Sequence, residues 1–263
     1  MIMNTMSSIQ AKRVQRVAPW LLLGAFLLLW QVACLAFNVS DFILPSPSSI
    51  VSSMTEYGDV IAAHAWRTFW TTMVGFGLAI VVGVVLGMLM GSSKLAYAAT
   101  YPLMTAFNAL PKAAFVPILV VWFGIGVGPA ILTAFLISFF PIMVNIATGL
   151  VTLEPELEDV LRVLGAKRWD VLTKVGLPRS MPYFYGSLKV AITLAFVGTT
   201  VSEMTAANEG IGYLLISAGS SMQMGLAFAG LMVVGAMAMV MYELFSWIEK
   251  RTTGWAHRGS QGE

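Results

Sequence analysis

Charged side chains are scarce in this sequence. Asp, Glu, Lys and Arg make up 11% of the 263 residues, whereas 58% are hydrophobic; an average soluble domain contains about 25% charged residues. The formal net charge is only +2, so the chain has no overall field that would attract nucleic acid. This composition excludes an ordinary soluble domain and indicates an integral membrane protein.

Cysteine and histidine are almost absent. The single Cys34 excludes an internal disulfide and a cysteine-based metal cluster. His64 and His257 fall on opposite sides of the membrane in the topology given below, so they do not form a metal pair. The sequence also lacks a G-x-x-x-x-G-K-[ST] motif, an H-E-x-x-H motif, and a nucleophile paired with a base on facing spans. We therefore expect no enzyme activity, cofactor or metal in this chain.

Long apolar runs are abundant instead. Runs of about 20 apolar residues recur, and this is the length of a helix that crosses a bilayer. Six spans are predicted, at residues 19–37, 68–90, 101–125, 130–150, 183–206 and 225–248. The basic residues before the first run also fit a signal peptide, but the further spans favour an uncleaved helix. The predicted fold class is therefore all-α, a polytopic transmembrane helical bundle.

Lysine and arginine are distributed unevenly over the segments that join these spans. With the N-terminus inside the cell, the external loops hold only Arg67, and thirteen basic residues are cytoplasmic. These are Lys12, Arg13, Arg16, Lys94, Arg162, Lys167, Arg168, Lys174, Arg179, Lys189, Lys250, Arg251 and Arg258. Because basic residues are retained on the cytoplasmic side, both termini are predicted to be cytoplasmic. The predicted parts are an N-terminal segment 1–18, a transmembrane domain 19–248 with an external loop 38–67 and a cytoplasmic loop 153–182, and a tail 249–263.

The cytoplasmic loop is the most charged stretch of the chain. It contains "LEDVLRVLGAKRWDVLTKVGLPRSMP", in which apolar residues recur at i, i+3, i+4 and i+7. These apolar residues are Leu157, Val160, Leu161 and Leu164, and charged Glu158, Asp159 and Arg162 occupy the other side. Gly165 is predicted to end this helix by taking positive φ, and Pro178 and Pro182 to stop a second short helix before the fifth span. Such a unit presents its charged side to a partner protein.

The spacing within this loop resembles the EAA loop of ABC importer permeases, which reads E-A-A, three residues, G, nine residues, I, one residue, L-P. Gly165, Leu177 and Pro178 match that pattern outright, and Val175 matches it conservatively. Asp159 stands where the family has Glu, and the two residues after it stand where the family has alanines. The resemblance identifies the loop as a coupling segment.

Four further stretches are similar to permeases of the sulfonate, taurine and nitrate branch of that family. They are "LPSPSSI", "ALPKAAFVPILVVWFGIG", "LPRSMPYFYGSLKVAI" and "VSEMTAANEGIGYLL", and they cover most of the chain from Leu44 onward. The branch also contains permeases for thiamine-precursor and riboflavin-type ligands. Branch membership therefore implies a small substrate, such as a sulfonate, taurine or nitrate, without fixing which one; Lys112 would favour an anionic substrate if it lines the cavity.

The resemblance implies a mechanism and a set of partners. A type I importer permease of the bacterial inner membrane forms the substrate pathway, and its coupling helix docks in a groove of a separate ATPase that binds ATP and Mg²⁺. One coupling segment per chain implies a homodimer with two ATPase copies, supplied by an extracytoplasmic binding protein. The implied coupling residues are Leu157, Glu158, Asp159, Arg162, Gly165, Ala166, Leu177 and Pro178.

A few polar residues inside the spans are candidates for the substrate pathway. Lys112 would lie deep in the bilayer if its helix were continuous with Lys94; alternatively, residues 97–111 form an interfacial helix and Lys112 anchors it at the surface. Glu203 either lines the pathway or pairs with a backbone donor near Gly210. Asn145 either lines the cavity or bonds between helices.

Two features leave other interpretations open. Lys112 and Glu203 as intramembrane charges also fit an ion-coupled secondary transporter or a channel, although the two halves show no inverted repeat of the kind such transporters have. Small residues recur every four positions in the second span, at Gly75, Ala79, Gly83, Gly87 and Gly91. This spacing predicts close approach of a neighbouring helix, which we interpret as packing without a transport role.

Overall fold

The computed structural model describes residues 8–152, 163, 165, 170 and 172–253, and all the regular structure in these parts of the chain is helical. The helices are α1 (Ser8–Ala36), α2 (Pro47–Glu56), α3 (Gly58–Gly91), α4 (Lys94–Ala109), α5 (Val116–Phe123), α6 (Val127–Val151), α7 (Leu177–Ala206), α8 (Ile211–Ser220) and α9 (Met224–Thr252). A 3₁₀ turn, Lys112–Phe115, precedes α5, and a π-helical turn, Leu172–Gly176, precedes α7.

Five of the described helices are long and apolar enough to span a membrane, and a bent pair adds a sixth if it is counted as one broken span. The pair is α4 with Lys112–Phe123, whose axes differ by 72°. Leu110 at the break is extended (φ −67°, ψ 136°) because the ring of Pro111 disfavours helical backbone in the residue before it. The predicted all-helical transmembrane bundle is confirmed, with five or six candidate spans, and the break falls within the third predicted span.

Two boundaries differ from the sequence prediction. Helix α3 begins at Gly58, so the predicted external loop is helical from Gly58 to Arg67, because no proline follows Gly58 to end the helix within this stretch. Pro182 does not stop α7, which starts at Leu177 and continues through it. Proline fits the first turn at Pro178, and the only bond that Pro182 forgoes is to the carbonyl of Pro178, an exposed residue of that first turn.

Helix α6 lies at the centre of the bundle, between α3 and α7. A Cβ atom on Gly87 of α3 would lie 2.7 Å from the carbonyl oxygen of Met143 in α6, and one on Gly198 of α7 would lie 3.1 Å from the Cα of Ala134. Gly75, Gly83 and Gly91 contact α6 in the same way, and Ala79 is fully buried. The predicted close approach along the small residues of the second span is confirmed.

Helix α1 lies at the edge of this bundle. Only 6% of its span Val17–Ala36 is buried, and large apolar side chains such as Trp20 and Leu29 are exposed. Trp30 packs on Phe228 of α9, with ring centroids 6.4 Å apart. The remaining apolar face of α1 suits contact with lipid.

Candidate functional sites

Part of the predicted coupling segment lies in the described structure. Gly165 has φ +86°, the left-handed conformation predicted for the glycine that ends the first short helix. Leu177 and Pro178 form the first turn of α7. The other predicted coupling residues lie outside the described residues; they are Leu157, Glu158, Asp159, Arg162 and Ala166. We call the end of the bundle next to this segment the coupling end, and the opposite end the distal end.

Lys112 lies at the break of the third span. Its ammonium donates to the backbone oxygen of Asn108 at 2.9 Å and to the side-chain oxygen of the same residue at 2.7 Å. The carbonyl of Asn108 is one of the last four of α4, which have no partner inside the helix. Lys112 therefore caps the C-terminus of α4, where a positive charge is favourable.

The depth of Lys112 follows from two contacts of α4 with α6. The hydroxyls of Tyr97 and Thr148 are 3.2 Å apart, and the rings of Phe107 and Phe139 have centroids 6.2 Å apart. Ten residues along α4 thus correspond to nine residues along α6, so the two helices run side by side. Phe139 lies in the middle of α6, so the break is about halfway through the bundle. Helix α4 thus runs alongside a candidate spanning helix, and this arrangement favours the deep position of Lys112 over the interfacial alternative for residues 97–111.

The surroundings of Lys112 are open in the single chain. Helix α4 has no buried residue along its whole length, and Lys112 itself is half-buried. On α5, Val121 and Trp122 are 83% and 70% exposed. The broken span therefore presents a mixed polar and apolar surface away from the core.

Asn145 is half-buried on α6, and its amide nitrogen donates to the carbonyl oxygen of Pro141 at 2.8 Å. This bond lies within α6. The amide nitrogen of Asn145 therefore does not form the bond between helices that the sequence suggested.

Glu203 is 3% exposed and lies at the distal end of α7. One of its carboxylate oxygens, Oε2, accepts from the hydroxyl of Thr68 at 2.8 Å and from the backbone N–H of Gly212 at 3.0 Å. The predicted pairing of Glu203 with a backbone donor at a helix break is therefore observed. The break joins α7 to the short helix α8, which sequence reasoning missed because ten residues are too few for a span.

A cavity of about 200 Å³ opens beside Glu203. Its polar lining residues are Arg67, Thr71, Glu203, Asn208 and Glu209. The guanidinium Nε of Arg67 lies 3.1 Å from the carboxylate of Glu209, and both side chains are largely exposed. This cavity lies at the distal end, whereas Lys112 lies halfway through the bundle, so the structure does not bring the two charged candidates together.

Lys189 and Glu249 form an ion pair between α7 and α9. Their side chains are 19% and 13% exposed, and the charged atoms are 2.6 Å apart. The ammonium also lies 5.9 Å from the ring centroid of Tyr242. Sequence reasoning missed this pair because the partners are 60 residues apart and no local spacing connects them.

The fold defines a polytopic helical membrane protein. The family described as the binding-protein-dependent transport system inner membrane component matches residues 79–254, and the chain belongs to this family. It is therefore the non-catalytic membrane subunit of an ABC importer, as the EAA-like spacing predicted.

Individual relatives agree with the family and differ in substrate. The chain is 28% identical to a probable ABC transporter permease of Haemophilus influenzae, over 91% of this chain and 98% of the relative. It is 30% identical to a formylaminopyrimidine transport permease of Halalkalibacterium halodurans, with 76% and 80% covered. It is 28% identical to a nitrate import permease of Leptolyngbya laminosa, with 89% and 85% covered.

A solved structure shows the same fold. A chain of the inward-facing MetNI methionine ABC transporter aligns with a TM-score of 0.63 at 16% identity, over 73% of this chain and 96% of that chain. The predicted fold, that of a type I importer permease, is confirmed by this likeness together with the family match.

Proposed function

We propose that this chain forms the translocation pathway of a bacterial importer for small solutes that carry an anionic group, such as a sulfonate, taurine or nitrate. The observation that carries the proposal is the ammonium of Lys112, which lies about halfway through the bundle on the open face of the broken span. Ionisable groups at this depth are costly and mark substrate pathways. A positive charge in a surface of low polarity attracts an anion.

The bonds of Lys112 suit a site that exchanges partners. Both of its partners are oxygens of Asn108, and both are uncharged. An anionic solute adds the attraction of an opposite charge to the hydrogen bond, which the neutral oxygens of Asn108 do not provide. In this proposal an anion in the pathway replaces Asn108 as the hydrogen-bond partner of Lys112. The two bonds to Asn108 form again when the anion leaves.

Asn145 and Glu203 have different places in the proposed pathway. Asn145 bonds to its own helix through its amide nitrogen, which leaves its side-chain oxygen to accept from a solute. Glu203 lies in the wall of the distal cavity with one oxygen engaged by Thr68 and Gly212, and it shapes the distal end of the pathway.

The coupling segment is proposed to transmit ATP-driven movement to the membrane helices. The left-handed backbone of Gly165 and the start of α7 at Leu177 and Pro178 support the helix, glycine turn and helix arrangement. In this proposal the charged face formed by Glu158, Asp159 and Arg162 contacts the ATPase.

The assembly is proposed to contain two copies of this chain, two ATPase subunits and an extracytoplasmic binding protein. The open face of α4 and α5 supports the second copy, because Lys112 would otherwise face lipid, where an unpaired charge is costly. The excess of lysine and arginine near the coupling end supports a cytoplasmic location for that end and for both termini.

Uptake by the reconstituted complex tests the substrate assignment. Proteoliposomes containing this chain, its ATPase and its binding protein are supplied with labelled taurine, nitrate or formylaminopyrimidine. We expect uptake of an anion, and a loss of about tenfold in Lys112→Gln, since a charge-assisted bond is worth about 1.5–3 kcal/mol. Lys112→Arg keeps the charge and retains uptake, and Lys94→Gln at the other end of α4 is the matched control. Uptake of formylaminopyrimidine alone would contradict the anion assignment and leave the permease function standing.

A further inference from the structure

The distal cavity has a charged rim and a buried polar wall. Arg67 and Glu209 form the ion pair at its rim, where their side chains are 45% and 65% exposed. Thr71 and Glu203 in its wall are only 2% and 3% exposed. A single water needs about 10–15 Å³ of such space. The cavity, at about 200 Å³, therefore has room for a small organic group.

The hydroxyl of Thr71 has no hydrogen-bond partner among the described residues, although the neighbouring Thr68 donates to Glu203 at 2.8 Å. Two other buried hydroxyls without a partner, those of Thr200 and Ser202, are wholly shielded from solvent. The hydroxyl of Thr71 is not shielded in this way, and Thr71 lines the cavity. Its hydroxyl therefore faces the cavity, where it is ready to bond to a ligand.

Glu203 offers the cavity its second carboxylate oxygen. Oε2 accepts from the hydroxyl of Thr68 and from the N–H of Gly212, whereas Oε1 accepts from none of the residues that the structure describes. Among the described residues of the lining, the one cationic side chain is that of Arg67, and it is bonded to Glu209 at 3.1 Å. The described lining therefore carries two carboxylates and one guanidinium. A buried carboxylate is costly when it lacks an opposite charge, so this excess favours a ligand with one positive charge.

The acceptors in the wall fit an ammonium group. Such a group has three N–H donors and no acceptor. The cavity offers three acceptors, which are Oε1 of Glu203, the hydroxyl of Thr71 and the side-chain oxygen of Asn208. A calcium ion takes about six to eight oxygen ligands, which is more than these side chains supply. The number of acceptors and the excess charge thus both match a primary ammonium.

We propose that the distal cavity is a binding site for the primary ammonium group of the transported solute. Glu203, Thr71 and Asn208 accept its three N–H groups, and the remaining N–H groups of Arg67 at the rim face the anionic end of the same solute. This inference rests on the proposed function and narrows it. The solute is a zwitterion that carries an amino group together with an anionic group, as taurine does and nitrate does not.

Chemical labelling in the cavity tests the proposal on the full chain in detergent, without a partner protein. Cys34 is replaced by serine, and Ala207→Cys in the half-buried part of the lining is the reporter. The probe is methylammonium, and the measurement is the rate at which methyl methanethiosulfonate modifies the reporter. We expect methylammonium to slow this rate about twofold when its concentration equals its Kd.

Three comparisons show whether the protection comes from the N–H groups of the probe inside the cavity. Tetramethylammonium has the same charge and no N–H donor, and sodium chloride matches the ionic strength; neither should slow the reaction. Thr55→Cys on α2 is exposed and lies outside the cavity lining, so its modification should not respond to methylammonium. Equal protection by the three salts would overturn the inference.

Variants of the wall identify the acceptors. In the reporter protein, Glu203→Gln should weaken the binding of methylammonium by about tenfold, as expected for the loss of a bond to a charged group. Thr71→Val should weaken it by a smaller factor, and Thr71→Ser should restore it. Thr72→Val is the matched control, because it removes a buried hydroxyl that bonds to Thr199 and does not line the cavity. Protection that survives Glu203→Gln and Thr71→Val, or that is lost equally in Thr72→Val, would contradict the site.

Uptake by the reconstituted importer separates this inference from the proposed function. Taurine is compared with 2-hydroxyethanesulfonate, in which a hydroxyl replaces the ammonium. With the same binding protein, Glu203→Gln should lower the ratio of taurine uptake to 2-hydroxyethanesulfonate uptake by about tenfold. An unchanged ratio would overturn the inference and leave the proposed function standing. Protection by methylammonium without uptake of any anion would instead overturn the proposed function and the solute assignment, and the ammonium site would remain.

Discussion

The central helices and the broken span are built in opposite ways. Helices α3, α6 and α7 meet through glycines that a single Cβ atom would push apart, and the distal ends of α3 and α7 are joined by buried hydrogen bonds. Helix α4 lies against the same α6, yet it has no buried residue and continues into α5 through a 72° bend. The comparison teaches that the bundle has a rigid part suited to carrying movement and an open part suited to meeting solute and a second subunit.

The largest effect is expected where α3 and α6 are closest. Gly87→Leu places a side chain 2.7 Å or less from the Met143 carbonyl oxygen, and overpacking of this kind costs about 1–3 kcal/mol or more. Gly77→Leu on the same helix meets no atom within 4 Å and is the control. Thermal unfolding in detergent should show a large loss for Gly87→Leu only; equal behaviour of the two variants would remove the distinction between a tight and an open face.

The next largest effect is expected at Gly210, where the start of α8 lies against Glu203. Gly210→Ala forces an alanine to φ +100° and against a carboxylate, which together cost about 1–3 kcal/mol. Gly219→Ala in α8 has open space around its Cβ and should be neutral or stabilising, because alanine favours a helix. The same unfolding assay compares Gly210→Ala with Gly219→Ala. A Gly210→Ala protein as stable as the wild type would show that the contact between Gly210 and Glu203 is not rigid.

A smaller effect is expected for the ion pair that joins α7 to α9. Lys189→Met and Glu249→Gln should each destabilise the protein, and the double variant should lose less than the sum of the two. A double-mutant cycle should give an interaction of about 0.5–3 kcal/mol. An interaction near zero would mean that this pair does not hold α7 to α9.

The smallest effect is expected on α4. Leu95 is 81% exposed, and Leu95→Ala should change the stability of the isolated chain by no more than about 0.5 kcal/mol. A loss as large as that of Gly87→Leu would show that α4 belongs to the rigid part and would break the comparison.

The sequence predicted those features that depend on local length and composition. Six apolar runs predicted six spans, and Gly165 was placed in a left-handed turn by its position after an apolar helix face. The pairing of Glu203 with a donor near Gly210 was one of two open alternatives, since one carboxylate at the end of a span needs a partner.

Features that depend on distant partners were not predictable. The depth of Lys112 follows from which residues of α4 and α6 are in contact. The hydrogen bonds at the start of α8 require His64 and Thr68 to lie beside residues more than 140 positions later in the sequence. Helix α8 was missed because its apolar run is short, although Gly210 before "IGYLLISAG" is a signal for a capped helix. The ends of α3 and α7 were misplaced because helices continue past the apolar core of a span.

The most direct test of this account is the ATPase response of Gly165→Leu. In membranes that also contain the ATPase and the binding protein, one measures ATP hydrolysis stimulated by loaded binding protein, together with co-purification of the ATPase. Gly24→Leu, on the exposed α1 with no atom within 4 Å of its Cβ, is the control. The account predicts that Gly165→Leu loses assembly or stimulation, because leucine disfavours φ +86°. Normal assembly together with normal stimulation would contradict the assignment of residues 157–178 as the coupling segment.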